Sequence, residues 1–312
     1  SHLNSSYVLQ RSLLKALAKS DERGLLEIVL NDSKGVITMQ MVLFTKLFLQ
    51  RSLDEIAVSA RDLGFDGIDL LIRPGFHVEP DKPEGIPAAV RKLRDAGLAV
   101  PMATTDLTDP GGQTAETLLR MCADADVKLL RLGYWKYDPA RGYQTCLDAA
   151  RRDLDGLETL ARKTGVRLAI QLHGGTIHSS GPLTAALLAG HDPAHIGVYP
   201  DPGNQAVQEG REDWRLTFDV LWPWLCCIGV KNGAWHPAQR MPGGQRRWAS
   251  DWVGIADGMV PWDGILGYLV QTGYDGLLSF HSHYDLPFAQ VLDQTRVDLQ
   301  FVRRQLAVQT SK

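Results

Sequence analysis

The feature that most constrains the fold is an alternation between short apolar runs and longer segments with helical periodicity. From Val42 onward, an apolar or β-branched run is followed by a turn and an amphipathic stretch, and this unit recurs along the chain. Such alternation is typical of parallel sheets whose strands are connected by helices. We predict strands at 42–48, 67–73, 100–105, 128–135, 167–173, 195–201, 227–232 and 276–283.

Eight strand–helix units predict an α/β fold, the (β/α)8 or TIM barrel, in a single domain. A doubly wound open sheet of this size usually carries a glycine-rich phosphate turn after its first strand. Neither GxGxxG nor GxxxxGK[ST] occurs in the sequence, which favours the barrel.

The helical segments carry their own start and stop signals. Ser52 and Glu55 form a predicted capping box, and Gly64 ends that helix. A last outer helix is predicted at 288–306. Residues 233–261 show no secondary-structure pattern, and a loop of that length is usually functional.

The chain divides into an N-terminal extension, 1–40, and the barrel, 41–312. The opening "SHLNSS" is interpreted as the remnant of a tag, and residues 7–19 have an amphipathic helical pattern outside the repeat.

Composition narrows the function classes. A formal net charge of −3 gives no long-range attraction for nucleic acid or for anionic membrane surfaces. Four cysteines without CxxC spacing indicate buried free thiols rather than a disulfide or zinc framework. No apolar run approaches the roughly 20 residues of a membrane span. We expect a cytoplasmic protein that acts on a small molecule.

Polar side chains follow the last four predicted strands. In a TIM barrel the active site lies at the carboxyl ends of the strands, so these side chains should share one pocket. Alternation along each strand places them on the inner face. They are Gln171, His173, Asp201, Lys231, His281 and His283.

Four motifs at these strand ends carry a resemblance to a known family. They are "QLHGGTI", "GVYPDPGNQAVQEG", "GVKN" and "GYDGLLSFHSHY", in this order. Over roughly residues 42–305 the chain resembles the sugar-phosphate isomerase/epimerase group of the xylose-isomerase-like barrel superfamily. The resemblance implies an enzyme that moves a proton next to the carbonyl of a sugar.

The resemblance also implies one divalent metal held by Glu, Asp, His and Glu. Carried over by position, these ligands fall at Gln171, Asp201, Gly229 and His281, so only the aspartate is retained. Loss of two carboxylates disfavours a hard ion such as Mg²⁺. A nitrogen-rich site of Asp201, His281 and His173 would instead favour Zn²⁺, Fe²⁺ or Mn²⁺. A bound divalent metal and no cofactor both stay open.

Without the glutamates, other groups must carry the catalysis. His173, His281 or His283 can act as the base because imidazole titrates near neutrality, and Lys231 can stabilise an oxyanion. Asp201 completes the predicted catalytic set.

Further residues are predicted to bind substrate, together with Gln171 and His283. They are His77 in a glycine-proline loop, Asn204 in "DPGN", Asn232 after Lys231, and Trp235, since tryptophan stacks on sugar faces.

The function predicted first is an isomerase or epimerase acting on a sugar or keto-polyol. A lyase or dehydratase acting on a keto-sugar or keto-inositol is the alternative within the enzymes. A catalytically reduced barrel that binds a sugar or a partner protein is the alternative outside them. The family habit and the tryptophan-rich segment favour a homo-oligomer.

Overall fold

A computed structural model of the protein describes residues 39–112, 114–208 and 212–310. The helix predicted at 7–19 lies outside these residues, and the proposed boundary between extension and barrel stays a prediction.

In the described part of the chain, ten strands form two sheets. The bounds are β1 Gln40–Phe44, β2 Gly67–Leu71, β3 Ala99–Thr104, β4 Leu129–Arg131, β5 Arg167–Gln171, β6 Ile196–Tyr199, β7 Cys227–Val230, β8 Asn232–Arg240, β9 Arg246–Val253 and β10 Leu277–Phe280. The eight-stranded sheet has the order β6-β5-β4-β3-β2-β1-β10-β7, and all its pairs are parallel. The strands β8 and β9 form a separate antiparallel pair.

The two ends of the large sheet approach each other. An isolated parallel bridge joins Val198 to Leu225, and the Cys226 N–H donates to the Val198 carbonyl at 3.1 Å. The sheet is therefore a nearly closed barrel with helices between its strands, and the predicted TIM-barrel fold is confirmed.

Nine α-helices accompany the described strands. They are Leu53–Leu63, Ile86–Asp95, Ala115–Asp124, Tyr143–Thr164, Gly181–Leu188, Pro202–Val207, Trp214–Leu221, Trp262–Thr272 and Phe288–Thr310. Short 3-10 helices occur at Thr45–Phe48, Pro83–Gly85 and Trp222–Trp224. The predicted capping box of Ser52 and Glu55 is present, and Gly64 ends that helix at φ 91°, a left-handed conformation that glycine adopts without a steric penalty.

The core has two layers. The larger one packs the helices against the outside of the barrel. The smaller one fills the barrel interior with Val42, Met102, Leu129, Ala169, Tyr199 and Cys227. The interior is thus a packed core.

Two expectations about local structure are wrong. Most strands are shorter than predicted, because the last residues predicted for each strand already lie outside the sheet. For example, β4 ends at Arg131. Residues 233–261 contain the antiparallel hairpin β8–β9 instead of an unstructured loop. This hairpin is mostly exposed, so it lacks the buried apolar run by which the barrel strands were recognised.

Candidate active site

A cavity lies at the carboxyl ends of the barrel strands. Its volume is about 210 Å³, below the roughly 300–1,000 Å³ typical of sites for drug-sized ligands. A small substrate is therefore expected. The lining residues are Phe44, Lys46, Arg73, Arg131, Tyr134, Gln171, His173, Gln208, Lys231, Trp252, His281 and His283.

The structure brings many of the predicted catalytic and substrate-binding residues together here. Gln171, His173, Lys231, His281 and His283 all line the cavity. Asp201 is completely buried and bonds to two of them, Gln171 and Lys231.

Asp201 holds the side chains of Gln171 and Lys231 in place. Its Oδ2 accepts a hydrogen bond from Gln171 Nε2 at 2.6 Å and lies 3.0 Å from Lys231 Nζ. Its Oδ1 accepts from the Asn204 backbone N–H at 2.9 Å, which caps the helix Pro202–Val207. The carboxylate is thus paired with an ammonium and held rigidly, as a buried charge must be.

The other end of the Gln171 amide meets two donors. Its Oε1 accepts from Arg131 Nη1 at 2.6 Å and from the Tyr134 hydroxyl at 2.7 Å. Arg131 and Asp201 thereby fix the orientation of the amide, because only its oxygen can accept and only its nitrogen can donate. One hydrogen-bonded chain runs from Arg131 through Gln171 to Asp201 and Lys231.

His173 presents a free electron pair at Nε2. Its Nδ1 donates to the Gly174 carbonyl at 2.8 Å, which places the ring proton on Nδ1. Gln208 Oε1 accepts from the Gly174 N–H, so the Gln208 amide nitrogen faces His173 Nε2 at 3.3 Å. This long contact holds Nε2 as an acceptor.

His281 is held by aromatic neighbours. It stacks on Phe44 with ring centroids 4.5 Å apart, and its Nε2 lies 2.6 Å from the Tyr199 hydroxyl. Burial raises the pKa of Tyr199 well above its usual range and lowers the pKa of His281 well below its own. The phenol therefore donates to a neutral imidazole, and His281 Nε2 is already occupied.

Burial and neighbouring cations keep all three rim histidines neutral. Burial, followed by the charges of Lys231 and Lys46, lowers the pKa of His283 to about 2. The pKa of His173 is also lowered, chiefly by burial, while its bond to Gly174 opposes the shift. Burial lowers the pKa of Lys231, and the Asp201 carboxylate opposes that shift.

Four residues predicted to bind substrate do not line the cavity. Asn232 donates to the Ile255 and Val260 carbonyls and so anchors the segment after β9. The buried Asn204 donates to the Leu172 carbonyl. His77 bonds to the Arg51 carbonyl, and Trp235 Nε1 donates to the Ala206 carbonyl. Each of these contacts is to the protein's own backbone.

Several lining residues escaped the sequence prediction. Lys46 and Arg73 lie just after β1 and β2, Arg131 ends β4, and Tyr134 lies just after it, whereas the predicted catalytic residues come from the last four strands of the barrel. Arg131, the last residue of β4, carried the clearest signal. Trp252 comes from the hairpin, and Lys231 Nζ lies 4.6 Å from the centroid of its ring.

The residues present do not fit the metal site that the resemblance implies. In the described part of the chain no three His, Cys, Asp or Glu side chains are grouped to hold a metal ion, and Asp201, His281 and His173 form no such group. A Cβ at Gly229, where the family histidine would stand, would lie 2.8 Å from Asp201 Oδ2. The Lys231 ammonium already neutralises that carboxylate.

Comparison with known proteins agrees with this architecture. Residues 58–305 match the family described as xylose isomerase-like TIM barrel. The chain belongs to this family.

Solved structures show the same fold. A xylose isomerase-like TIM barrel protein from Mycobacterium smegmatis, in complex with magnesium, has a TM-score of 0.64 at 17% identity and covers 86% of this chain and 98% of its own. The 3-keto-D-glucoside 4-epimerase from E. coli gives 0.63 at 14%, with 86% and 100% covered. The probable 3-DHS dehydratase of petrobactin synthesis from Bacillus anthracis gives 0.60 at 16%, with 85% and 99% covered. At these identities the likeness shows the fold alone.

A search of curated proteins gives no match. Within the described ranges, no helix has the length and apolar character needed to cross a membrane.

Proposed function

We propose that the protein is an enzyme that moves a proton next to the carbonyl group of a small sugar or keto-polyol, in the manner of an isomerase or epimerase. The observation that carries this proposal is the arrangement around one cavity of a neutral histidine and a fixed cation. His173 offers an unprotonated Nε2, and Lys231 offers an ammonium held by Asp201. A base and an oxyanion partner are the two requirements of enolisation.

His173 is the base in this proposal. The Nε2 of His281 is occupied by Tyr199, and burial, followed by the nearby cations, lowers the pKa of His283 so far that it is a very weak base. Among the described residues, His173 Nε2 has the long contact to Gln208 alone, which an incoming substrate can replace. It takes the proton from carbon, the electron pair of that C–H bond becomes the C=C bond of the enolate, and the π pair of the C=O bond moves to the oxygen.

Lys231 stabilises the resulting enolate oxygen. Its ammonium is held by Asp201, which Gln171 also fixes, so little reorganisation is needed when negative charge develops. We therefore propose that Lys231 supplies the positive charge that a metal supplies in relatives that bind one. The proton of the adjacent hydroxyl passes to the enolate oxygen, and return of the carbon-bound proton to the former carbonyl carbon completes an isomerisation.

A dehydratase is the second candidate, and one observation favours it. Tyr134 lies beside His173, with ring centroids 4.4 Å apart. Burial raises the pKa of Tyr134, which therefore remains a phenol, and its proton, donated to Gln171 Oε1 in this structure, can be redirected to a bound substrate. A base and an acid side by side suit the loss of a hydroxyl as water from the enolate. The dehydratase among the solved structures of this fold supports the same alternative.

Hydrogen exchange tests the proposal. The protein is incubated in D₂O with a panel of ketoses, keto-polyols and keto-acids, and NMR follows deuterium entry at carbons next to the carbonyl. We expect exchange with at least one compound, abolished in His173→Gln. Loss of one water from the same compound identifies the dehydratase. Binding without exchange for every compound that binds contradicts an enzyme and favours the sugar-binding barrel.

The cytoplasmic location and the homo-oligomeric state belong to this proposal and are not required by the site. Every catalytic group named comes from one chain.

A further inference from the structure

Three of the cations that line the cavity lie at or just after strands that precede the Asp201–Lys231 ion pair in the chain. Lys46 follows β1, Arg73 follows β2, and Arg131 ends β4. Lys46 is exposed and Arg131 is 2% exposed, so this cation cluster reaches from the surface into the interior. No Asp or Glu stands among the described residues that line the cavity.

The three charges act on one another. Burial lowers the pKa of Lys46, and Arg73, Lys231 and Arg131 lower it further. Burial and then Arg131 lower the pKa of Arg73. Like charges held this close repel one another, and a bound anion would offset that repulsion.

The protein neutralises this cluster only in part. Arg73 is paired at 2.6 Å with Asp106, whose side chain is 58% exposed, so the pairing is weakened by solvent. Within the described ranges, the Arg131 guanidinium meets only neutral oxygens, those of Tyr134, Gln171 and Thr105.

Two further observations in the same part of the chain indicate unused binding capacity. The Nε atoms of Arg73 and Arg131 are buried without a hydrogen-bond partner. Lys46 has no carboxylate within ion-pair distance among the described residues, whereas Lys231 has its own in Asp201.

We propose that the cation cluster of Lys46, Arg73 and Arg131 binds an anionic group of the substrate, a carboxylate or a phosphate monoester. The substrate is then an acidic keto-sugar or keto-polyol rather than a neutral one. This inference rests on the proposed function only in calling the bound molecule a substrate. The binding of an anion by this cluster does not depend on that function. Charge-assisted bonds from arginine to either group are the strongest that such a cavity can form.

Three polyol probes without a ketone or aldehyde group test this directly. D-gluconate carries a carboxylate, D-glucitol 6-phosphate carries a phosphate, and D-glucitol carries no charge. Isothermal titration calorimetry at low ionic strength measures the affinity of each for the full chain. Since none of them can enolise, the result is independent of any turnover.

At least one anionic probe is expected to bind about tenfold or more tightly than glucitol, given the net worth of a hydrogen bond to a charged group. The anionic probe that binds more tightly shows whether the site prefers a carboxylate or a phosphate. Lys46→Met and Arg73→Gln should each remove most of this advantage. Lys128→Met is the matched control, because Lys128 precedes β4 at the opposite end of the barrel and is 74% exposed.

Equal affinity for the three probes overturns the proposal. So does an anionic preference that survives both Lys46→Met and Arg73→Gln in variants whose circular dichroism matches that of the parent. If anions bind as expected but no compound exchanges hydrogen in D₂O, the anion site stands and the proposed enzyme function fails.

Discussion

The two halves of the barrel rim are built on different electrostatic plans. The half that follows β1, β2 and β4 contributes Lys46, Arg73 and Arg131, whose charges are incompletely neutralised. The half that follows β5, β6, β7 and β10 contributes neutral imidazoles and one self-neutralised ion pair, Asp201 with Lys231.

This difference suggests a division of labour between recognition and chemistry. Unneutralised cations attract a charge that arrives with the ligand. A paired lysine and unprotonated histidines are set for proton transfer, since each is already in the protonation state that it needs. Variants of the second half should therefore lower kcat, whereas variants of the first half should weaken binding.

The largest effect is expected from Lys231→Met. Turnover should fall by about 10²–10³, as for removal of one oxyanion donor. Leaving Asp201 buried without its partner should also cost about 3–5 kcal/mol of unfolding free energy. Steady-state kinetics and urea unfolding measure the two effects separately.

The double variant Lys231→Met/Asp201→Asn separates stability from catalysis. It removes both charges and should recover much of the unfolding free energy without recovering turnover. A single variant that keeps turnover within a few-fold of the parent would assign Lys231 to the structure alone.

His173→Gln is expected to lower kcat by about 10²-fold or more, the range of a general base, with a smaller change in KM. The pH profile gives a second readout. The base acts unprotonated and its pKa is lowered, so kcat/KM should be flat at neutral pH and decline only below pH 6.5. An acid limb centred above pH 6.5 would point to another base.

Arg73→Gln should have a smaller effect, confined to binding. We expect KM for an anionic substrate to rise about tenfold with kcat nearly unchanged, because this cation contacts the ligand and not the reacting carbon. Rising salt should weaken binding in the parent more than in the variant. A kcat that falls together with KM would remove the distinction between the two halves.

Much of the fold could be predicted from the sequence because barrel strands are buried on both faces. Their apolar runs stand out, as in "RLAIQ" of β5, and the glycines at 64 and 273 mark helix ends in left-handed conformations. The hairpin β8–β9 was not recognised because its strands are exposed and polar and contain Pro237.

The positions of the cavity-lining residues could be predicted from the sequence only for the last four strands of the barrel. Alternation along the late strands placed Gln171, Lys231 and His281 correctly at the cavity. The same rule at β4 would have found Arg131. Asn232 could not be judged from sequence, since its role depends on backbone groups more than 20 residues away, at Ile255 and Val260.

The central claim is our proposal that the Lys231 ammonium supplies, beside Asp201, the positive charge that the family resemblance assigns to a divalent metal. Crystals of the protein soaked in Mn²⁺, with anomalous diffraction and elemental analysis of the same preparation, test it most directly. We predict no stoichiometric manganese at the cavity, with Lys231 Nζ still about 3.0 Å from Asp201 Oδ2. One manganese ion per chain bound to Asp201, with Lys231 displaced, would contradict the claim.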